Sequence, residues 1–412
     1  MRVAADWIWT GEGEPFPGAL GVEKGFITGC DRGAPTGDEE HSFPGGVMLP
    51  GLVNAHVHLD LTFPPDAEVL QLPFTEWLLS VRDRRSREGE HRLREAAARG
   101  ANLSLASGTT LVVDFDAGGY SPVALQQSPI RRALLREIIG FRDDSLERIP
   151  TLRGFLEADR DPQRELRGLA PHAPYTVEKE LLRSVVELAR EQQVPWSMHI
   201  AEQIFEEEFL RYGTGEVTQT FAGIGVDMER FGFPGCGPIE YLERGGFLSD
   251  APILVHANYL QPEEVSRIAA AEATVVYCPR SHRWFGHAPH PLPQLLEAGI
   301  EVALGTDSLL SNGELSILEE AREVRRAFAS LSTVQILHMA TVAGHRTLGN
   351  RLGSGRLEVG QPADFAIFAM EGCPSDDPLA ALLSGKGRPW ATFVAGELVH
   401  GNDLTAAGPR PE

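Results

Sequence analysis

The chain has 412 residues, 42% hydrophobic and 23% charged, with a formal net charge of −21. That length suits one large enzyme domain plus a smaller one. No run of 18 apolar residues offers a membrane span, and the acidic balance argues against nucleic acid or an anionic membrane as partner. The four cysteines, Cys30, Cys236, Cys278 and Cys373, contain no CxxC pair, which excludes a cysteine-rich zinc site or a disulfide scaffold by spacing.

In chain order, Asp6 interrupts any apolar core of a leader, so a cytoplasmic protein is expected. Residues 1–50 alternate apolar and polar positions between turn signals and read as short strands. The C-terminal stretch repeats that character at Phe365–Phe368 and at Trp390–Ala395, with Gly396–Glu397 as a hairpin turn. The two ends, 1–50 and 351–412, are expected to build one small β-sandwich-like domain. The middle, 51–350, repeats strand, polar loop and helix. Strand candidates are 47–55, 109–115, 133–141, 166–171, 195–200, 252–257, 274–278 and 301–306, with helical patterns at 176–193 and 313–329. Eight strands alternating with helices match a (β/α)8 TIM barrel, whose active site lies at the C-terminal strand ends. A segment at 203–250 separates strands five and six, and its Gly-, Phe- and Pro-rich part, 221–238, reads as a lid or pocket wall. The tail 406–412 is expected to fray.

The candidate chemistry falls on those strand ends. His56 and His58 share a face, because residues i and i+2 of a strand point the same way. His172, His199 with Glu202, His256 and Asp307 follow, each at or just past the end of an apolar run. Imidazole and carboxylate are ligands of zinc and iron, and a catalytic site keeps a position open for water. A strand-end Asp can take the proton as hydroxide forms. Cys278, in an apolar strand, reads as a small buried hydrophobe.

The segments PGLVNAHVHL (50–59), HAPYT (172–176), MHIAE (198–202), LVHANYL (254–260), YCPRS (277–281) and LGTDS (304–308) together resemble the amidohydrolase superfamily, in particular its mononuclear-metal purine and triazine deaminase branch. The resemblance implies one divalent ion, zinc preferred with iron or manganese as alternatives, on His56, His58, His199 and Asp307. It implies that Glu202 shuttles a proton to the ring nitrogen beside the attacked carbon, and that His256 orients the hydroxide. Attack on an aromatic C–N centre needs such an acid with a raised pKa. The competing reading of Glu202 is an exposed residue at the start of an acidic stretch whose later members, Glu206, Glu207 and Glu208, form a solvated helix face. His172 is expected to contact substrate. Dinuclear relatives need a lysine at the end of strand four; the three lysines here are Lys24, Lys179 and Lys386, and Lys179 lies inside a helix pattern, so one ion is expected.

The loop 278–287 departs from the branch's usual pattern and resembles members that deaminate 6-amino-6-deoxyfutalosine, a menaquinone intermediate with an aromatic carboxylate arm. Trp284 would stack on that arm, and Arg280, Arg283 or a protonated His282 would meet its carboxylate. The expected reaction replaces the C6 amine of an adenine-type base by oxygen and releases ammonia. The expected partner is a small purine nucleoside, with no nucleic acid and no membrane, in an assembly compatible with a homodimer. Adenosine, methylthioadenosine and S-adenosylhomocysteine are the alternative substrates; cyclic-amide or triazine hydrolysis is the alternative reaction.

Overall fold

A computed structural model describes residues 1–33, 40–64, 72–140, 145–372 and 377–401. Cys373 and the tail 406–412 lie outside the described residues. The first four strands are β1 (Arg2–Ile8), β2 (Phe16–Glu23), β3 (Phe26–Arg32) and β4 (His41–Pro50). Eight barrel strands follow: β5 (Leu52–Val57), β6 (Thr109–Asp116), β7 (Arg131–Ile138), β8 (Glu165–Pro171), β9 (Ser197–Ile200), β10 (Ile253–His256), β11 (Thr274–Tyr277) and β12 (Val302–Leu304). The chain closes with β13 (Phe365–Met370), β14 (Gly387–Val394) and β15 (Glu397–Gly401).

The barrel strands pair in parallel, β5-β6-β7-β8 and β9-β10-β11-β12. Parallel bridges at Leu169↔Trp196 and Val57↔Asp307 join the two halves into a closed barrel. Consecutive residues of a strand serve opposite cores, as a two-residue period requires. Val53, Ala55, Leu111, Val113, Phe115, Ala133, Leu135, Val255 and Ala303 form one buried cluster. Their neighbours Leu169, Leu254 and Leu304 instead pack with Leu182, Val185 and Val186 of the amphipathic helix Lys179–Glu191. Cys278 is a free thiol, fully buried in the inner cluster. Lys179 opens its helix on the exposed side, so among the described residues no lysine reaches the strand ends.

Both chain ends enter one seven-stranded sheet, ordered β15-β14-β13-β4-β1-β2-β3. Its apolar face collects Val3, Ile8, Leu20, Phe43, Phe365 and Phe393, the last two stacked at 4.5 Å between ring centroids. The chain passes from this sheet into the barrel at Gly51, where a Cβ would lie 2.0 Å from Thr110 Oγ1; only glycine fits so close an approach.

One ion pair ties the sheet to the barrel. Arg131, at the start of β7, donates from Nη2 to Asp364 Oδ1 at 3.1 Å and from Nε to Oδ2, both side chains under 10% exposed. Asp364 also accepts the Ala395 amide at 2.7 Å, and its carbonyl accepts Gly51 N–H at 3.0 Å. Removing one partner of a buried pair leaves the other charge uncompensated. Arg131→Ala is therefore expected to cost about 3–5 kcal/mol in urea unfolding; a loss below ~1 kcal/mol would mean that solvent screens the pair as it does at a surface.

Candidate active site

The side chains singled out in the sequence converge at the C-terminal ends of the barrel strands. His56 and His58 come from the end of β5, His199 from β9, His256 from β10 and Asp307 from just beyond β12. The backbone there is bent out of regular strand: Ala201, His256, Ala257 and Asp307 all have positive φ, at 48°, 73°, 50° and 58°. Non-glycine residues rarely adopt that region, and its clustering marks a site over-determined by its surroundings. Gly305 lets β12 close on β5: a Cβ there would sit 2.8 Å from His56 Cβ, and the Thr306 and Asp307 amides donate to His56 O at 3.0 and 3.1 Å.

Four donor atoms face one another. His56 Nε2 lies 3.3 Å from His199 Nε2 and 3.5 Å from Asp307 Oδ1, and His58 Nε2 lies 3.7 Å from the same oxygen. His199 Nδ1 is 2.9 Å from the His172 carbonyl, which must accept a proton from it; the lone pair of His199 is therefore on Nε2, toward the other rings. Burial and the neighbouring imidazoles hold His58 and His199 well below the usual histidine range, so both rings are neutral and able to ligate. Three imidazole nitrogens and a carboxylate, all at most 7% exposed, fit one divalent ion. Glu137, His172 and His199 form a second convergent group. It shares His199, whose remaining lone pair cannot serve two ions, so the geometry accommodates one.

Asp307 and Glu202 are pushed in opposite directions. Burial raises the Asp307 carboxylate, but the hydrogen bond with His56 and the electrostatic influence of the neighbouring His56, His58 and His256 outweigh it and hold it well below the usual range. Ser281 Oγ and Ser311 Oγ donate to its Oδ2 at 2.9 and 2.7 Å, leaving Oδ1 to the histidines. Glu202 is raised well above the usual range, first by burial and then by the Asp307 and Glu206 charges. Its Oε1 lies 3.5 Å from His256 Nε2. Burial keeps His256 neutral, and the His290 Nε2–H holds the His256 carbonyl at 2.9 Å. An ionised carboxylate opposite a protonated one is the arrangement that separates base from acid in one cavity.

That cavity, about 860 Å³, is lined by His58, His199, Glu202, His256 and Asp307 at its base. Its lining also includes the polar His172, Glu137, Arg85 and Tyr120 and the apolar Phe74, Trp77, Phe221 and Val226. Arg82 and Arg148 also line it, and both are exposed. The segment 221–238 thus contributes part of the pocket wall, through Phe221, Ile224, Gly225 and Val226. His172 Nδ1 contacts Thr176 Oγ1 at 2.8 Å, and its burial lowers it to about 3.

The loop after β11 is placed differently from the sequence expectation. It folds into a short helix, Pro279–Trp284, that turns Arg280 and His282 away from the cavity. Arg280 pairs with Glu314, and His282 Nε2 contacts Ala288 O at 2.9 Å. Trp284 lines a neighbouring cavity of about 880 Å³ with Phe285, Arg211 and Glu216, into which none of the converging histidines opens. From this loop it is Ser281 that reaches the site.

Sequence reasoning also missed Arg85 and Glu137. Arg85 grips Asp60 at 2.8 and 3.2 Å and approaches Glu137 Oε2 at 3.5 Å. Glu137, at the end of β7, has no hydrogen-bond partner for either oxygen among the described residues, and burial raises it to about 8. Its signal was a lone acid at the end of an apolar strand.

Comparison with known proteins agrees with this architecture. The amidohydrolase family model matches residues 47–399. The aminodeoxyfutalosine deaminase of Deinococcus radiodurans is 31% identical over 328 residues, 74% of each chain. The 5-methylthioadenosine/S-adenosylhomocysteine deaminase 2 of Archaeoglobus fulgidus is 28% identical over 403 residues, covering 94% of this chain and 90% of that one. In fold, the chain resembles Helicobacter pylori aminofutalosine deaminase in complex with methylthio-coformycin, with TM-score 0.82 at 23% identity, over 97% of this chain and 100% of the other. It equally resembles the zinc complex of atrazine chlorohydrolase TrzN from Arthrobacter aurescens TC1, with TM-score 0.82 at 21% identity, over 99% and 97%.

Proposed function

The chain belongs to the amidohydrolase family and is a hydrolase of C–N bonds, and on that premise we propose that it replaces the 6-amino group of an adenine-type nucleoside by oxygen and releases ammonia, with 6-amino-6-deoxyfutalosine as its preferred substrate. The observation that carries the reaction is the pair of carboxyls in one cavity pushed in opposite directions, Asp307 toward its ionised form and Glu202 toward its protonated one. His56, His58, His199 and Asp307 would hold one divalent ion, with zinc preferred. When bound, such an ion lowers the pKa of water to about 7 and makes hydroxide available near neutrality.

The rest is done by side chains. Asp307 Oδ1 accepts the proton of the attacking water, and its serine partners keep that oxygen aimed inward. As the ring carbon becomes tetrahedral, Glu202 protonates the adjacent ring nitrogen and neutralises the developing charge. Neutral His256, 3.5 Å from Glu202, steadies the added oxygen. The proton held by Asp307 then passes to the amine, which leaves as ammonia, and the proton of the added hydroxyl returns to Glu202 as the carbonyl forms, so the sum is water in and ammonia out. His172 contacts the base, and the Glu137 carboxyl, which lacks a hydrogen-bond partner among the described residues, accepts from the sugar hydroxyls. Arg82 and Arg148 suit an anionic arm extending from the sugar, in place of the Arg280 and His282 expected from the sequence.

The test is a panel of 6-aminopurine nucleosides, with a triazine included, followed by absorbance and ammonia release on the metal-loaded protein. A kcat/KM for 6-amino-6-deoxyfutalosine well above that for adenosine and S-adenosylhomocysteine supports the full reading. A higher value for S-adenosylhomocysteine or methylthioadenosine keeps the reaction and replaces the substrate. Glu137→Ala is expected to raise KM for nucleosides about 3–10-fold, the loss of one hydrogen bond, with metal content intact; an unchanged KM removes Glu137 from the sugar subsite.

A further inference from the structure

A second carboxylate ties down the turn that carries Glu202. Ala201 and Glu202 link β9 to the helix Ile204–Tyr212, and all four of their backbone polar groups are engaged. Ala201 N–H donates to Glu206 Oε1 at 2.9 Å and Glu202 N–H to Glu206 Oε2 at 3.3 Å. Ala201 O accepts Tyr259 N–H at 3.0 Å, and Glu202 O accepts Asn258 Nδ2–H at 3.0 Å. The Glu202 side chain, by contrast, meets among the described residues only His256, at 3.5 Å. Its direction is therefore set by its backbone.

Glu206 departs from the solvated acidic face expected of residues 206–208. Glu207 pairs with Arg211, and Glu208 accepts from Thr214 at the surface. Glu206 is fully buried and meets no cation among the described residues. A buried carboxylate is costly unless hydrogen bonds compensate it. Capping a helix would need one acceptor oxygen, which glutamine supplies equally well. Two converging amides, one on a residue with φ of 48°, require two acceptor oxygens on one rigid group.

We propose that Glu206, with Asn258, is a positioning residue that fixes the backbone of residues 201–202 and so aims the Glu202 carboxyl at the substrate ring. The inference rests on the proton-donor reading of Glu202. A double-mutant cycle separates the two. Glu206→Gln keeps the volume and one acceptor, and is expected to lower kcat about tenfold, the scale of one hydrogen bond to a charged group, with KM and metal content unchanged. In a Glu202→Gln background the same change is expected to cost nothing further, because there is no longer a donor to aim. An equal loss in both backgrounds, a loss of metal, or no loss in the wild type overturns the proposal. No effect of Glu202→Gln alone overturns the reading of Glu202 instead. If Glu206→Gln does not fold, Asn258→Ala cuts the other tie on Glu202, and the same cycle with the same outcomes judges the clamp.

Discussion

Glu202→Gln is expected to lower kcat about 10³-fold, within the range that a positioned acid supplies, while metal content and KM stay near wild type. The amide has the shape and neutrality of the protonated carboxyl, so the packing of a 6%-exposed side chain beside His256 survives the change. What it loses is the transferable proton, an interaction needed only as the ring nitrogen gains charge; that pattern removes kcat without removing ground-state binding. The pH dependence follows from the direction of the shift. Burial and the Asp307 charge raise Glu202, so the active, protonated form persists to higher pH than in an ordinary carboxyl and is lost as pH rises through the raised value. The wild type should therefore show an alkaline limb in kcat, and Glu202→Gln should flatten it. Steady-state kinetics over pH with metal analysis of both proteins checks this. A variant that keeps wild-type kcat, or that loses its metal, removes Glu202 from the acid role.

The barrel was legible because its strands are short apolar runs, each ending in a polar residue that has no reason to be buried except function. His56, His58, His199, Glu202, His256 and Asp307 all stand at such ends; the last five line one cavity, and His56 is buried against His199 and Asp307. Less legible were residues whose role depends on partners distant in sequence. Ser281 and Ser311 look like ordinary loop serines until both hydroxyls are seen on one Asp307 oxygen. Glu206 reads as one of three surface acids, because a helical period cannot tell which of adjacent glutamates folds back onto the preceding turn. The 280–284 stretch failed for a related reason. Its residue types suit an aromatic carboxylate, yet Pro279 starts a helix there, and helical spacing sends Arg280 and His282 to other partners while Ser281 faces inward.

The largest single loss is expected from His56→Ala, which should abolish metal binding and lower activity at least ~10³-fold, since a catalytic ion supplies several kcal/mol of stabilisation and each 1.36 kcal/mol is tenfold in rate. His56 is fully buried, and its Nε2 faces both His199 Nε2 and Asp307 Oδ1; it is the one donor within about 3.5 Å of two others. Removing it leaves His58 and His199 on opposite sides of a gap, with an anionic Asp307 no longer held by its neighbour. Thermal unfolding gives a readout independent of activity, because an ion that binds only the folded chain raises stability by about 2.7 kcal/mol at a hundred times its dissociation constant. Added zinc should raise the Tm of the chelator-treated wild type and leave that of His56→Ala unmoved. The matched control is His282→Ala, which removes an imidazole of the same loop system that points away from the cavity. It should keep both the zinc-dependent rise and the activity. A zinc-dependent Tm rise in His56→Ala would mean that the ion sits on Glu137, His172 and His199 instead, the other convergent group, and the assignment of Asp307 as a ligand would fall with it.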